Sequence, residues 1–321
     1  MKKYKRIVWL IIFGLVLFFG FKFWWNQQLT PVSSDKSNLT FVVDKGANFS
    51  EVTEDLKKAR LIKNSLVFSL YGKQSGYVDK IRAGTFKLSP SFSSDEILKT
   101  LSGNPTENWV TLLEGWRVEE MAQNLSDELG IQSSEFLKYA KEGYMFPDTY
   151  LFPKDYSAEQ IAEIMMDNFE KRYTPEIRTK IKSLALSEDE GVILASIVER
   201  EARSRQARTM VASILLKRLK IGMGLNADAT VQYALGFQQQ EKSWWKRHLT
   251  KEDKKIDSPY NTYLYRGLPP TPIANPSLMS LEVVADADSS IPYLYYYHDS
   301  NGKSHYAQTL EEHNSNVANN P

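Results

Sequence analysis

Apolar residues run almost unbroken from Ile7 to Trp25, "IVWLIIFGLVLFFGFKFWW", with Lys22 as the sole charge. At about 1.5 Å rise per residue, a helix over this run is long enough for a hydrocarbon core of about 30 Å. Lys22 lies near the outer end, where its stem can snorkel, and Trp24 and Trp25 suit the headgroup layer. Lys2, Lys3, Lys5 and Arg6 precede the run, which predicts a cytoplasmic N-terminus with the rest of the chain outside. The bulky, polar "KFWWNQQ" offers no small-residue cleavage site, so the run reads as an uncleaved anchor rather than a signal peptide. The pattern therefore predicts a cytoplasmic tail over residues 1–6, a transmembrane anchor over 7–25 and a polar tether over 26–38.

Beyond the tether, "LTFVVDKGANFSEVTEDLKKARLI" predicts a strand, a turn at Gly46, and a helix with Val52, Leu56 and Ala59 on one stripe. "RAGTFKLSPSFSSDEILKTL" repeats the order: a strand at Gly84 to Leu88, a turn at Pro90, and a helix capped at Ser93 or Ser94. This alternation resembles the LysM-like modules of proteins that contact bacterial cell wall, and sets a first module at 39–104. A small α+β spacer fits the same pattern. The larger part, 105–321, begins with a strand in "ENWVTLLEGW" and continues into helices at "VEEMAQNLSDEL", "SSEFLKYAKE" and "SAEQIAEIMMDNFEKRY". Between the last two, "GYMFPDTYLFP" (143–153) reads as a loop dense in aromatics and proline. Phe146 and Tyr150 can stack on sugar faces or pack beneath the loop. The fold class expected is thus α+β.

From Ser187 to Lys220 the chain reads as a capped, buried helix and its continuation, with almost no polar face between Val192 and Val198. Glu199 and Glu201 close its first part. Two residues apart, they point about 200° away from one another and cannot enter one cleft together. That argues against a carboxylate dyad made of this pair. Ordinary ion pairs four residues on, to Arg203 and Arg205, account for both acids equally well, and local pattern does not choose between the readings.

Composition narrows the chemistry. Forty basic and 39 acidic residues leave a balanced surface, unlike the basic footprint of a nucleic-acid binder. No cysteine is present, which removes disulfides, thiolate metal sites and a cysteine nucleophile. His248, His298, His305 and His313 lack the His-Glu-x-x-His spacing, so no metal site is expected. "NGKS" at Asn301 to Ser304 lacks the leading glycine of a phosphate loop, since Tyr297 stands there. "SSDK" falls in the tether with no Lys-Thr-Gly elsewhere.

"LASIVERE", then "RLKIGMGLNADATVQYALG", "SPYNTYLYRGLPPTPIANP" and a closing "YLYYYHDSNGKSHYAQTLEEHN" stand in one order with "EGWR" and "FPDTY" upstream. Together with the anchor, this series resembles the endolytic murein transglycosylases of the MltG (YceG-like) family over nearly the whole chain. The resemblance implies a bacterial enzyme of the cytoplasmic membrane. It would cleave the β-1,4 MurNAc–GlcNAc bond of peptidoglycan without water and leave 1,6-anhydroMurNAc ends. On that resemblance it would need no cofactor, would limit glycan strand length, and would associate with the peptidoglycan synthases of elongation or division. The family's acid is the second glutamate of a Glu-Lys-Glu triplet, which here falls on Glu201 of Glu199-Arg200-Glu201. Ala202 and Ala229 depart from the usual threonine and proline. Such an acid must start protonated, so an apolar setting should raise its pKa, and Arg205 would oppose this unless it turns to another partner. Glu199, Asn226, Asp228, Thr230, Tyr233, Asn261, Thr262 and Tyr263, with Phe146, Asp148 and Tyr150, are the expected substrate contacts. Two other readings remain: a non-catalytic, membrane-anchored wall-binding scaffold that has no need of Glu201, and a hydrolytic muramidase using Asp228 as second carboxylate.

Overall fold

The computed structural model describes residues 2–319, with the side chains of 2–8 left aside, and divides into two compact units. The first comprises residues 1–109 and 151–155; the second comprises 110–150 and 156–321.

The first unit opens with α1 (Lys2–Leu29), whose Trp9–Leu29 stretch is long and apolar enough to cross a membrane. None of that stretch is buried in the protein, as expected for a helix apolar on every side. The helix outlasts its apolar run and takes in Asn26–Leu29 of the expected tether. The rest of that segment is bonded to the unit rather than free. Val32 and Ser33 donate their N–H groups to the Pro90 carbonyl, both at 3.1 Å, and the Ser89 hydroxyl donates to the Asp35 carbonyl at 3.0 Å. The Lys63 ammonium donates to the Gln27 carbonyl and to the Thr30 hydroxyl.

Strand β1 (Leu39–Val43) is followed by α2 (Phe49–Lys58), which starts at a capping box between Asn48 and Glu51. Helix α3 (Ser65–Gln74) was not signalled by periodicity, because Leu66 and Leu70 of its apolar set face solvent. Strand β2 (Gly84–Leu88) pairs antiparallel with β1, from Leu39 opposite Leu88 to Val43 opposite Gly84. Ser93 and Glu96 box the start of α4 (Ser94–Leu101). Strands β3 (Glu107–Thr111) and β4 (Thr149–Pro153) complete a sheet ordered β1-β2-β3-β4. The stretch expected as a loop at 143–153 therefore ends in a strand. Phe41, Val52, Leu56, Phe68, Phe86 and Ile97 are among the residues filling this unit's core.

In the second unit, α5 (Val118–Leu129) follows the expected span, whereas "SSEFLKYAKE" gives only the single turn α6 (Ser133–Phe136). Phe136 is buried, but Leu137 and Tyr139 are exposed, so no continuing stripe rewards a longer helix. Ser157 caps α7 (Ala158–Arg172), and Thr174 with Pro175 at the first position starts α8 (Pro175–Ser183). Helix α9 (Glu188–Glu201) begins at a Ser187–Glu190 capping box and buries Gly191 through Glu199. Its continuation is a separate helix, α10 (Arg205–Lys220), because Ala202 turns extended (φ −143°, ψ 152°) and Ser204 caps a new start. Then come α11 (Asp228–Leu235), α12 (Leu278–Ala285), a hairpin of β5 (Tyr295–His298) and β6 (Ser304–Ala307), and α13 (Leu310–Asn319). Helices α8, α10, α11 and α12 all pack on α9. The observed class is mixed α+β with an N-terminal apolar helix.

Candidate functional site

The helix break at Ala202 separates the fates of the two acids. Glu199 points inward, 8% exposed, and is met by the Arg208 guanidinium from α10: Nη2 donates to Oε1 at 2.6 Å and Nη1 to Oε2 at 3.1 Å. The Ser277 N–H and hydroxyl also donate to Oε2, at 2.9 and 2.6 Å. Arg208 is completed by the Ala202 carbonyl and the Ser277 and Ser280 hydroxyls. Such a fully bonded buried pair ties α9, α10 and the start of α12 together. Glu199, expected to touch substrate, has both oxygens committed to this knot, and the pairing to Arg203 is not made.

Glu201, the last residue of α9, points the other way and is half-buried. The Ala229 N–H, in the first turn of α11, donates to its Oε1 at 3.3 Å, and the Tyr296 hydroxyl of β5 donates to its Oε2 at 3.0 Å. Burial raises the Glu201 pKa above the ordinary carboxyl value, and the Asp228 charge adds to the rise. The two hydrogen bonds and the Arg218 charge pull against it. Arg205 does not oppose the rise, since its guanidinium reaches Glu282 at 2.7 Å. Glu201 opens into a pocket of about 710 Å³ between the α9–α10 junction (Glu199–Arg208) and the hairpin turn (His298–Ser304).

The loop carrying Asn226 and Asp228 is fixed from behind. Asn226 takes a left-handed φ of 52°, and its N–H donates to the Thr262 carbonyl. Thr230 and Thr262 are buried, with their hydroxyls 2.9 Å apart, and the Thr262 hydroxyl accepts the Ala227 N–H. Asn261 is also buried; its amide donates to the Lys254 and Ile256 carbonyls and its oxygen accepts the Tyr263 N–H. These three side chains brace the loop rather than line a groove. Asp228 is open to solvent on one side, accepts from the Tyr263 hydroxyl at 2.5 Å and pairs with Lys254 at 2.7 Å.

Tyr233 meets Tyr260 at a tilt, its ring centroid 4.8 Å away, and the Arg117 guanidinium lies 4.0 Å from the Tyr233 ring and 4.6 Å from that of Trp244. Its hydroxyl faces Glu142 at 3.5 Å. Phe146, Asp148 and Tyr150 form a separate group. Phe146 and Tyr150 are buried, the Tyr150 hydroxyl donates to the Phe146 carbonyl, and Asp148 accepts from Asn168 and Arg172. Their aromatic faces are therefore used in packing.

The "EGWR" segment reaches the site through Asn275. The Gly115 N–H donates to the Asn275 carbonyl, and the Asn275 amide donates to Trp116 and to Glu142. Its side-chain oxygen accepts the Gly143 and Met145 N–H groups. Gly115 has φ +73°, and a Cβ there would lie 3.3 Å from Glu199 Cγ and Arg200, so glycine is what fits.

Sequence reasoning passed over Tyr296, Arg208, Arg218, Asn275 and Glu142. Which strand or loop covers the end of α9 is set by contacts 78 and 95 positions apart in sequence, and no local period encodes that. Among the described residues, no three His, Asp or Glu side chains group as metal ligands.

Comparison with known proteins gives a consistent set of relatives. The model of the YceG-like family matches residues 41–319. The endolytic murein transglycosylase of Bacillus subtilis (strain 168) is 30% identical over 90% of this chain and 87% of its own. That of Streptococcus pneumoniae serotype 2 (strain D39 / NCTC 7466) is 29% identical over 97% of this chain, which spans 64% of the pneumococcal protein's length. The crystal structure of a YceG-like protein from Listeria monocytogenes superposes with a TM-score of 0.63 at 29% identity, covering 87% of this chain and 99% of that one.

Proposed function

The chain belongs to the YceG-like family, and we propose that it is an endolytic murein transglycosylase with Glu201 as its single general acid and base. The observation that carries this reading is the contrast between the two acids: Glu199 is neutralised by Arg208, while Glu201 is held toward its protonated form at the mouth of a pocket. In the proposed reaction, the Glu201 carboxyl gives its proton to the glycosidic oxygen as the bond from muramyl C1 breaks. The muramyl C6 hydroxyl bonds to C1, and Glu201, now a carboxylate, takes the hydroxyl proton. The products are a GlcNAc 4-hydroxyl and a 1,6-anhydroMurNAc end, and no water is consumed.

On this reading α1 anchors the enzyme in the cytoplasmic membrane with the remainder outside, next to nascent strands. Residues 39–104 act as a LysM-like module and residues 105–321 as the catalytic domain around α9. Cutting nascent strands there would limit their length and place the enzyme beside the synthases of elongation or division. On the muramidase reading Asp228 would have to act through Oδ2, since Tyr263 and Lys254 both occupy its Oδ1.

The test is digestion of uncrosslinked nascent glycan by the full chain in detergent, read by mass spectrometry. Anhydro ends that vanish in Glu201→Gln are expected. Reducing ends would instead mean a hydrolytic muramidase, and glycan bound but left whole by a folded protein would mean a scaffold.

A further inference from the structure

Each oxygen of Glu201 has one fixed donor, and the two donors differ in kind. The Ala229 N–H on Oε1 can only donate, whereas the Tyr296 hydroxyl on Oε2 can donate to a carboxylate and accept from a carboxylic acid. A group that alternates between acid and base needs a partner that tolerates both states. We propose that Tyr296 is the positioning residue for the candidate acid: its hydroxyl fixes the plane of the Glu201 carboxyl and stabilises the carboxylate formed once the glycosidic oxygen has been protonated. This rests on Glu201 being the acid of the transglycosylase reading.

The placement supports the role. Tyr296 is packed against the core of the second unit on a paired strand, so its hydroxyl is aimed by the hairpin register, with Tyr296 opposite Tyr306. Burial and the neighbouring Glu201 charge raise the phenol well above its ordinary pKa, so it stays a donor wherever Glu201 ionises. Arg203 lines the same pocket, and the charges of Arg218 and Asp228 act on Glu201 while holding contacts of their own. Arg218 of α10 donates to the Leu294 and Leu225 carbonyls, and Asp228 of α11 is paired with Lys254 and bonded by Tyr263. Arg200, on Glu201's own helix, lies over Trp245 and donates to the Gly115 carbonyl. His298 of β5 is disfavoured as a cation by burial, with the Glu201 backbone acting the other way, and its Nδ1 is bonded to Ser304. Among these side chains, Tyr296 is the one whose hydroxyl is bonded to the Glu201 carboxyl itself.

The experiment compares the full chain in detergent with its Tyr296→Phe variant, which keeps the ring and removes the hydroxyl. The rate of anhydro-end formation is followed from pH 4 to 9, and the Glu201 carboxyl is titrated by carbon-13 NMR, with Glu201→Gln assigning the resonance. Loss of the donor makes the carboxylate harder to form. The expected result is a Glu201 titration and an alkaline rate limb that both move to higher pH, with kcat down about tenfold, the size of one hydrogen bond to a charged group, and KM unchanged. A folded variant whose carboxyl titration coincides with wild type overturns the assignment, whatever its rate. If the titration moves while wild type makes no anhydro ends, the contact stands and the transglycosylase reading is what fails.

Discussion

Glu199 and Arg208 are each less than a tenth exposed, and the ion pair that the structure gives each of them is with the other. Removing one partner leaves a buried charge uncompensated. Glu199→Ala or Arg208→Ala should each destabilise the second unit by about 3–5 kcal/mol in urea unfolding, with the double variant costing less than the sum. Glu142 behaves differently. Burial, with Glu119 adding to it, pushes its carboxyl up to about 8 from an unfolded value of 4.5. Between those values the folded protein holds a proton that the unfolded chain has lost, so stability falls as pH rises from about 4.5 to about 8 and then levels. Glu142→Gln keeps the acceptor for Val118 and Asn275. It should match wild type at pH 4.5 and exceed it at pH 9, by about 1–3 kcal/mol by differential scanning calorimetry. At this scale the sequence was half legible. Helical geometry alone showed that Glu199 and Glu201 must part company. It could not say which acid turned inward, because Arg208 lies beyond a helix break and Ser277 on a distant loop.

Among the elements, α9 packs against α8, α10, α11 and α12, and its packing is set by small residues as much as by large ones. A Cβ on Gly191 would come within 2.7 Å of Ile181 on α8. Alanine favours a helix by about 1 kcal/mol over glycine, yet the fully buried Ile181 side chain would have to give way. Gly191→Ala should therefore lower stability by about 1–3 kcal/mol in thermal unfolding, against the propensity trend. α7, with a strong period and a Ser157 cap, was readable in place, as were the apolar stripe of α5 and the short β-rich run of β2. α6 fell short of its pattern because only Phe136 of its apolar residues finds a core. Strand β4 was hidden in an aromatic, proline-rich run whose sheet partner lies some forty residues upstream in "ENWVT". The site elements follow the same division: α9 was visible, while the hairpin bearing Tyr296 had no local signal tying it to Glu201.

For the whole molecule, the first expectation concerns α1. Deleting residues 2–29 should move the protein from the membrane to the soluble fraction, whereas high salt should leave the full chain in the membrane, since the retaining force is apolar. The apolar run was the most legible feature of the chain, and the segment after it the most misleading, because a polar composition says nothing about whether its backbone is bonded. Val32, Ser33 and Asp35 are all bonded to Pro90 or Ser89, and Lys63 clasps the last turn of α1. With α1 in a bilayer, the first unit is mounted like a bracket rather than moored by a rope. Anything that the unit touches is met only in a thin layer at a set height, and material farther out must be carried to it.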